Sequence, residues 1–318
     1  MAAGKGSKVE YVDYNAIQKV ISALLGVGGA NPSTDTVDAT YGYGQSVGSS
    51  SVTQFGKITV SQWNTLRNDL LKARQHQSGV DESGNLALPT LDTKITEADR
   101  AAYRSFASVI DTNRLTVPPS SQSSFSTVST ATRTAVWTST ISMTFTMTFA
   151  GYTTGSTTVS ALDHMRIFFN TGSNFKFSSS LTSYTTDGSR LVNESWNTLL
   201  TNMGVITFGA NSTSNTGTGT SQYAIGYHQL TGTDQIIFSK LVEAGNQYTP
   251  NQYDLYVRKS GASIIFTPTW SYTDGGGIGN QFEPVNGTLT SIAQMYIATG
   301  SNVSIPAPTV VKAGTSFA

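Results

Sequence analysis

From Ile141 to Phe149 every odd position is large and apolar, and every even position between them is Ser or Thr. Successive side chains on a strand point to opposite faces. The run from Trp137 to Phe149 therefore predicts one strand over 135–149, with one face in a core and a row of hydroxyls on the other. No charge falls between Arg133 and Asp163. A face of hydroxyls and methyls without charge suits contact with other protein, so the pattern points toward assembly rather than catalysis. Further runs of strand character cover 164–170, 174–178, 204–208, 222–230, 234–242, 252–258, 262–272 and 288–298. Asn170–Asn174 reads as a hairpin connection between two of them.

Helical spacing is concentrated in the first 117 residues. Asp13 is placed to N-cap a helix through Ile17, Val20, Ile21, Leu24 and Leu25, which Gly26, Gly28 and Gly29 end. A second helix begins at Thr59-Val-Ser-Gln62, a capping-box pattern, with Trp63, Leu66, Leu70 and Ala73 as its stripe. A third begins at Thr96, with Glu97 and Asp99 in the first turn and Tyr103, Phe106, Val109 and Ile110 as its stripe. Lys-Ile-Thr precedes both, which reads as one capping solution used twice rather than a repeat. One more short helix, Glu194 to Met203, turns Trp196, Leu199, Leu200 and Met203 inward. Many strands joined by polar turns, without regular βα alternation, imply a sandwich or barrel.

Composition adds constraints. Among 318 residues there are 32 aromatics, enough for substantial cores, while charged residues make up only 12% and Ser with Thr about a quarter. Net charge is zero, and the balance holds locally: eleven residues of each sign precede Pro118 and eight of each follow it. No basic block is present to neutralise phosphates or anionic lipid, so nucleic-acid binding and polybasic membrane attachment are not expected. There is no cysteine, which makes the fold indifferent to redox conditions. The start, Met-Ala-Ala-Gly-Lys-Gly-Ser-Lys, has no apolar run of signal-peptide length, and no stretch reaches the length of a membrane span. Sequons at Asn193, Asn211, Asn286 and Asn302 are therefore read as unglycosylated.

The chemistry-bearing residues form no constellation. Gly44-Gln-Ser46-Val-Gly48 matches the nucleophile-elbow pattern but lacks the preceding strand and following helix. His76, His164 and His228 share no metal-ligand spacing, and structural roles are expected: His76 at a helix C-terminus facing the dipole, the other two in or beside strands. Asp163, Asp187, Glu194, Asp234, Glu243, Asp254, Asp274 and Glu283 are isolated in sequence, with Asp187-Gly188 and Asp274-Gly275 as turn signals. Gly26–Gly29 and Gly275–Gly279 open no helix and read as turns rather than phosphate cradles. Tyr41, Tyr43, Tyr152 and Tyr184 lie in loop-like contexts that suit either sugar stacking or protein contact. No catalytic, cofactor-binding or metal-binding residue is assigned.

Three blocks carry a resemblance. Tyr14-Asn-Ala-Ile17, Tyr41-Gly-Tyr-Gly-Gln45 and Ile58-Thr-Val-Ser-Gln-Trp-Asn-Thr-Leu-Arg67 resemble the start of virion structural proteins of tailed bacteriophages, those of marine cyanophages especially. Asp163-His-Met-Arg-Ile-Phe-Phe-Asn-Thr-Gly172, with Ser195-Trp-Asn-Thr-Leu-Leu200 and Met203-Gly-Val-Ile-Thr-Phe208, forms the second block. The third is Val285-Asn-Gly-Thr-Leu-Thr-Ser291. The resemblance implies a place in a virion and no catalytic residues.

The expected fold is α+β, mainly β: a small helical N-terminal region followed by an antiparallel β-sandwich with one short inserted helix. The expected layout is a helical docking region over 1–117, a Pro/Ser linker over 118–126, the sandwich over 127–300 and an extended tail over 301–318. The expected role is a non-enzymatic virion component of the tail, baseplate or neck. It would be assembled in the host bacterial cytoplasm, with copies of itself and other virion proteins as partners. The alternatives are a tail-fibre module binding host-surface glycan, a capsid decoration protein and, last, a glycan-cleaving enzyme.

Overall fold

A computed structural model describes residues 11–54, 56–90, 95–186, 191–243, 248, 251–272 and 283–314, the side chains of 124–128 excepted. The contacts group into two units. A helical unit gathers Met1–Ser123, Gly151–Gly172 and Ala298–Pro306, and a β unit gathers Ser124–Ala150, Ser173–Ile297 and Ala307–Ala318. This grouping differs from the linear layout expected from sequence. Residues 151–172 and 298–306 join the helices, and 118–126 runs directly into a strand that starts at Ser123.

In the helical unit, α1 (Tyr11–Leu25), α2 (Val60–Ser78) and α3 (Glu97–Thr112) pack through one aromatic from each. Trp63 stands edge-on to Tyr14 (5.3 Å) and to Tyr103 (5.0 Å), a geometry that aromatic quadrupoles favour. Capping boxes start α2 at Thr59 with Gln62 and α3 at Thr96 with Asp99. Val109 is not on the buried stripe of α3; Ala107 takes that side. Asp13 is not the cap of α1. It lies inside the first turn and accepts from Arg100 (2.5 Å) and Arg104 (3.0 Å), which also pair with Glu97.

Residues 164–170, expected as a strand, form α4 (Ala161–Asn170). The run His-Met-Arg-Ile-Phe-Phe is buried all round, so it presents no exposed polar face, and Ser160 caps it by accepting from the Asp163 N–H (3.1 Å). Asn170–Asn174 therefore joins a helix to a strand and is no hairpin. The job of α4 is to hold the Tyr41–Gln45 loop. Buried Arg166 donates to the carbonyls of Val27 (2.6 Å) and Tyr41, and Asn170 donates to those of Ala39 (2.9 Å) and Tyr41 (3.1 Å). The loop in turn satisfies the end of α1: the N–H groups of Tyr43, Gly44 and Gln45 donate to the carbonyls of Leu24, Gly26 and Leu25. Gly42, at φ 108°, passes so close to Val27 that a Cβ would strike its carbonyl oxygen.

The β unit is built from two antiparallel sheets. Its main strands are β1 (Ser123–Arg133), β2 (Thr144–Thr148), β3 (Asn174–Thr182), β4 (Ile206–Phe208), β5 (Thr213–Asn215), β6 (Gln235–Leu241), β7 (Gln252–Ser260), β8 (Ser263–Ser271), β9 (Thr288–Ile297) and β10 (Thr309–Ala313). The five-stranded sheet runs β5-β4-β3-β9-β1. The seven-stranded sheet runs Thr220–Ser221, β6, β7, β8, β2, β10, with Ile141–Ser142 also pairing β8. Residues 222–230, expected as a strand, instead make a turn with a single 3-10 turn at Tyr227–Gln229.

Phe266 of β8 sits at the centre of the core, 4.5 Å from Phe177, 5.2 Å from Phe208 and 5.7 Å from Phe175 on the facing sheet. The inserted helix α5 (Leu191–Met203) buries Trp196, Leu199, Leu200 and Met203 as expected. Asn193 and Asn286 lock α5 to the entry of β9: Asn193 Nδ2 donates to Asn286 Oδ1 (2.9 Å), and the Asn286 N–H donates to Asn193 Oδ1 (3.0 Å). The buried Asn193 sequon thus has its amide fully engaged.

Candidate functional site: a hydroxyl-rich sheet face

The alternation of Ile141 to Phe149 holds face by face. Ile141, Met143, Phe145, Met147 and Phe149 are buried, and Ser142, Thr144, Thr146 and Thr148 point the other way. It does not form one strand from Trp137. The strand is interrupted at Met143, between Ile141–Ser142 and β2, although the Met143 N–H still donates to the Pro268 carbonyl (3.2 Å), and Trp137 forms a separate bridge to Val285.

The register extends this hydroxyl row into a lattice. One row across the seven-stranded sheet reads Thr220, Ser239, Asp254, Thr269, Ser142. Another reads Ser260, Ser263, Thr148, Thr309, with Thr148 and Ser263 hydroxyls 3.0 Å apart. Between them lies Arg258, Ile265, Thr146, Val311. The few charged side chains have partners in place. Buried Asp254 accepts from Ser239 Oγ (2.5 Å) and Gln252 Nε2 (2.6 Å), and Arg258 pairs with Asp234 (3.3 Å). Exposed apolar side chains mark the two sides of the face: Val311 on β10, and Ile236 and Leu241 on β6. Each hydroxyl both donates and accepts, so the face can meet a surface like itself without unmatched groups.

The other sequence candidates take structural places. The Ser46 hydroxyl donates to the Thr154 carbonyl (2.6 Å) from irregular backbone, with no elbow around it. His76 does not offer a charge to the helix dipole. It is buried, donates through Nε2 to the Thr171 carbonyl (3.0 Å), and burial holds it neutral by lowering its pKa to about 4. His164 lies on α4, not on a strand, with Nε2 on the Pro306 carbonyl (3.0 Å), and His228 lies in the 3-10 turn. Among the described residues no three His, Asp or Glu gather as a metal site.

Asp163 pairs with Arg166, Glu194 sits in the first turn of α5, Glu243 accepts from Asn202, and Glu283 accepts from the Tyr248 hydroxyl (2.5 Å). Asp187, Asp274 and Gly275–Gly279 lie outside the described residues. Tyr41 and Tyr43, read as loop tyrosines open to sugar or protein, are buried. Their hydroxyls donate to Asp111 (2.5 Å) and to the Arg114 carbonyl (2.7 Å). Tyr152 and Tyr184 are half-buried.

Two clefts open in the helical unit. One, of about 470 Å³, lies beside the end of α1 and is lined by Lys19, Ser22, Gly28 and Thr157; Lys19 is engaged by Asp35 (2.8 Å). The other, of about 260 Å³, lies at the end of α2 beside Asp81, Ser121 and Asn302. Neither converges reactive groups. Compared with models of protein families, with curated proteins and with solved structures, the chain matches none.

Proposed function

We propose that this chain is a non-enzymatic structural component of a bacteriophage virion, of the tail, baseplate or neck, that works by assembling with copies of itself and with neighbouring virion proteins. The observation that carries the reading is the hydroxyl lattice on the outer face of the seven-stranded sheet, where Asp254 is hydrogen-bonded by Ser239 and Arg258 is paired with Asp234. The resemblance of the three sequence blocks to tailed-phage virion proteins supports it.

The mechanism is geometric. Strands about 4.8 Å apart and outward residues about 6.8 Å apart along each strand give a face on the order of 500 Å². A stable pairwise interface takes about 800 Å² from each partner, so one such contact is modest and gains strength by repetition in an array. With few charges to screen, it depends little on ionic strength. The glycan-binding alternative loses two of the four tyrosines that motivated it, since Tyr41 and Tyr43 are buried.

The test is the double substitution Thr144→Lys with Thr146→Lys. Both side chains face away from the core, so the monomer is expected to keep its stability to within about 1 kcal/mol. Assembly is expected to fall at least about tenfold, the equivalent of 1.4 kcal/mol per contact, in sedimentation and in incorporation into particles from fractionated lysate. Normal assembly of the double variant would show that the face is merely solvated.

A further inference from the structure

The seven-stranded sheet ends on a strand that has no fully buried residue and only Val310 half-buried. Ile305 is the last large apolar side chain in the interior, Pro308 is also buried, and from Thr309 to Gly314 no residue is. Four of the five residues of β10 are exposed, Val311 at 61%. What holds β10 is its backbone ladder to β2, from Thr309 opposite Thr148 to Ala313 opposite Thr144, and three polar contacts. Thr144 Oγ1 donates to the Ala313 carbonyl (3.2 Å), Thr309 Oγ1 to the Thr148 carbonyl (3.4 Å), and Lys312 Nζ to the Thr130 carbonyl of β1 (2.7 Å).

The strand it covers is of the opposite kind. Phe145 and Met147 of β2 are fully buried, and its other edge is taken by β8. Without β10, β2 would present an open row of N–H and C=O groups in a segment that carries no charge to repel another strand. The slot beside β2 needs an occupant, and its present occupant is attached to the rest of its own chain by little else.

The segment before it is firmly placed. The Pro306 carbonyl accepts from His164, and the Ser304 carbonyl accepts from Gln45 Nε2 (2.9 Å). Ala307 and Pro308 then bring the chain to Thr309. Ile305 and Ala307 each precede a proline and are held extended, so the arm leaves straight rather than folding back as a turn.

We infer that the arm beginning at Thr309 is donated between copies: β10 of one copy pairs with β2 of a second, in the register each now uses with its own. This rests on the assembly reading above and names the partner as a second copy of this chain. Every ladder bond, both threonine contacts and the Lys312 contact are remade in the receiving copy, so exchange sacrifices no core packing. The choice between keeping and giving the arm is set by local concentration, which is high in an assembled array. A five-residue arm is about 17 Å long, so giver and receiver stand edge to edge, and a two-fold axis near Pro308 makes the exchange reciprocal.

The chain has no cysteine, which makes the test clean. Thr146 and Val311 are direct register partners, at the Cα separation a disulfide spans. Two single variants, Thr146→Cys and Val311→Cys, one of them tagged, are co-assembled in equal amounts and oxidised. Neither can form an internal bridge. The expected result is a mixed covalent dimer, seen as a shift from the 33.7 kDa chain to twice that mass.

The double variant Thr146→Cys/Val311→Cys, oxidised as a dilute monomer, should close internally and lose the ability to assemble until reduced. If oligomers form but the mixture stays at monomer mass, and the internally closed variant assembles as well as the parent, arm donation is wrong and the assembly reading stands. If neither the parent nor any variant forms oligomers, both fall together.

Discussion

The two units settle buried backbone polarity by different means. In the helical unit, loops without ladders of their own rely on side chains: Arg166 and Asn170 reach the carbonyls around Tyr41, Asp69 accepts from the N–H groups of Gly48 and Ser49, and Gln77 donates to the Ile110 carbonyl (2.9 Å). Eight of the nine ion-pair contacts among the described residues fall there, and the β unit has Asp234 with Arg258. In the β unit the ladders satisfy the backbone and aromatics supply the packing, so its outer face is free to carry few charges. The lesson is that sparse charge is a property of one unit's surface, with charge retained where irregular backbone needs it.

The comparison breaks most directly in the core of the β unit. Phe266→Ala should cost about 3–5 kcal/mol, because a cavity opens among Phe175, Phe177 and Phe208. Trp63 lies in the helical unit, and Trp137, Trp196 and Trp270 lie in the β unit. Denaturation followed through each set separately, in variants with the others replaced by Phe, should show the loss in the β unit alone. Equal shifts by both probes would mean that the units unfold as one.

Acid should act on the other side. Burial lowers the His76 pKa from 6.5 to about 4. The unfolded chain therefore takes up a proton at a pH where the folded chain does not, and stability is fully present above about pH 6.5. It is lost as pH falls toward 4, by up to about 3 kcal/mol at 1.36 kcal/mol per pH unit. A Trp63-reported pH series should show this slope, and His76→Gln should flatten it. A slope unchanged by that substitution would place the acid response elsewhere.

The smallest expected effect is that of salt. Raising it from about 0.1 to 1 M should weaken the Asp13, Glu97, Arg100 and Arg104 network by under about 1 kcal/mol and leave the β unit and the proposed assembly unmoved.

Local patterns were readable in the sequence. The caps of α2 and α3 each lie within three residues, and the parity of Ile141 to Phe149 within nine, so neither needed the tertiary fold. The misreading of α4 arose because every residue from His164 to Asn170 is buried, so the run shows no exposed polar face; Ser160 with Asp163, spaced as a cap, was the available signal. Tyr41 and Tyr43 looked like a surface loop because Arg166, which buries that loop, lies more than a hundred residues away. The hydroxyl lattice was half visible. One strand announces its own face, but the rows across β6, β7, β8 and β2 exist only once the register is set.

The chain passes from one unit to the other five times, after Ser123, Ala150, Gly172, Ile297 and Pro306. A tension applied between the units is therefore shared among five covalent tethers in parallel, where a single linker would bear it alone. For the same reason no single cut releases either unit as a fragment: a protease nick at one crossing leaves four in place. Such stitching leaves no single linker at which the chain comes apart.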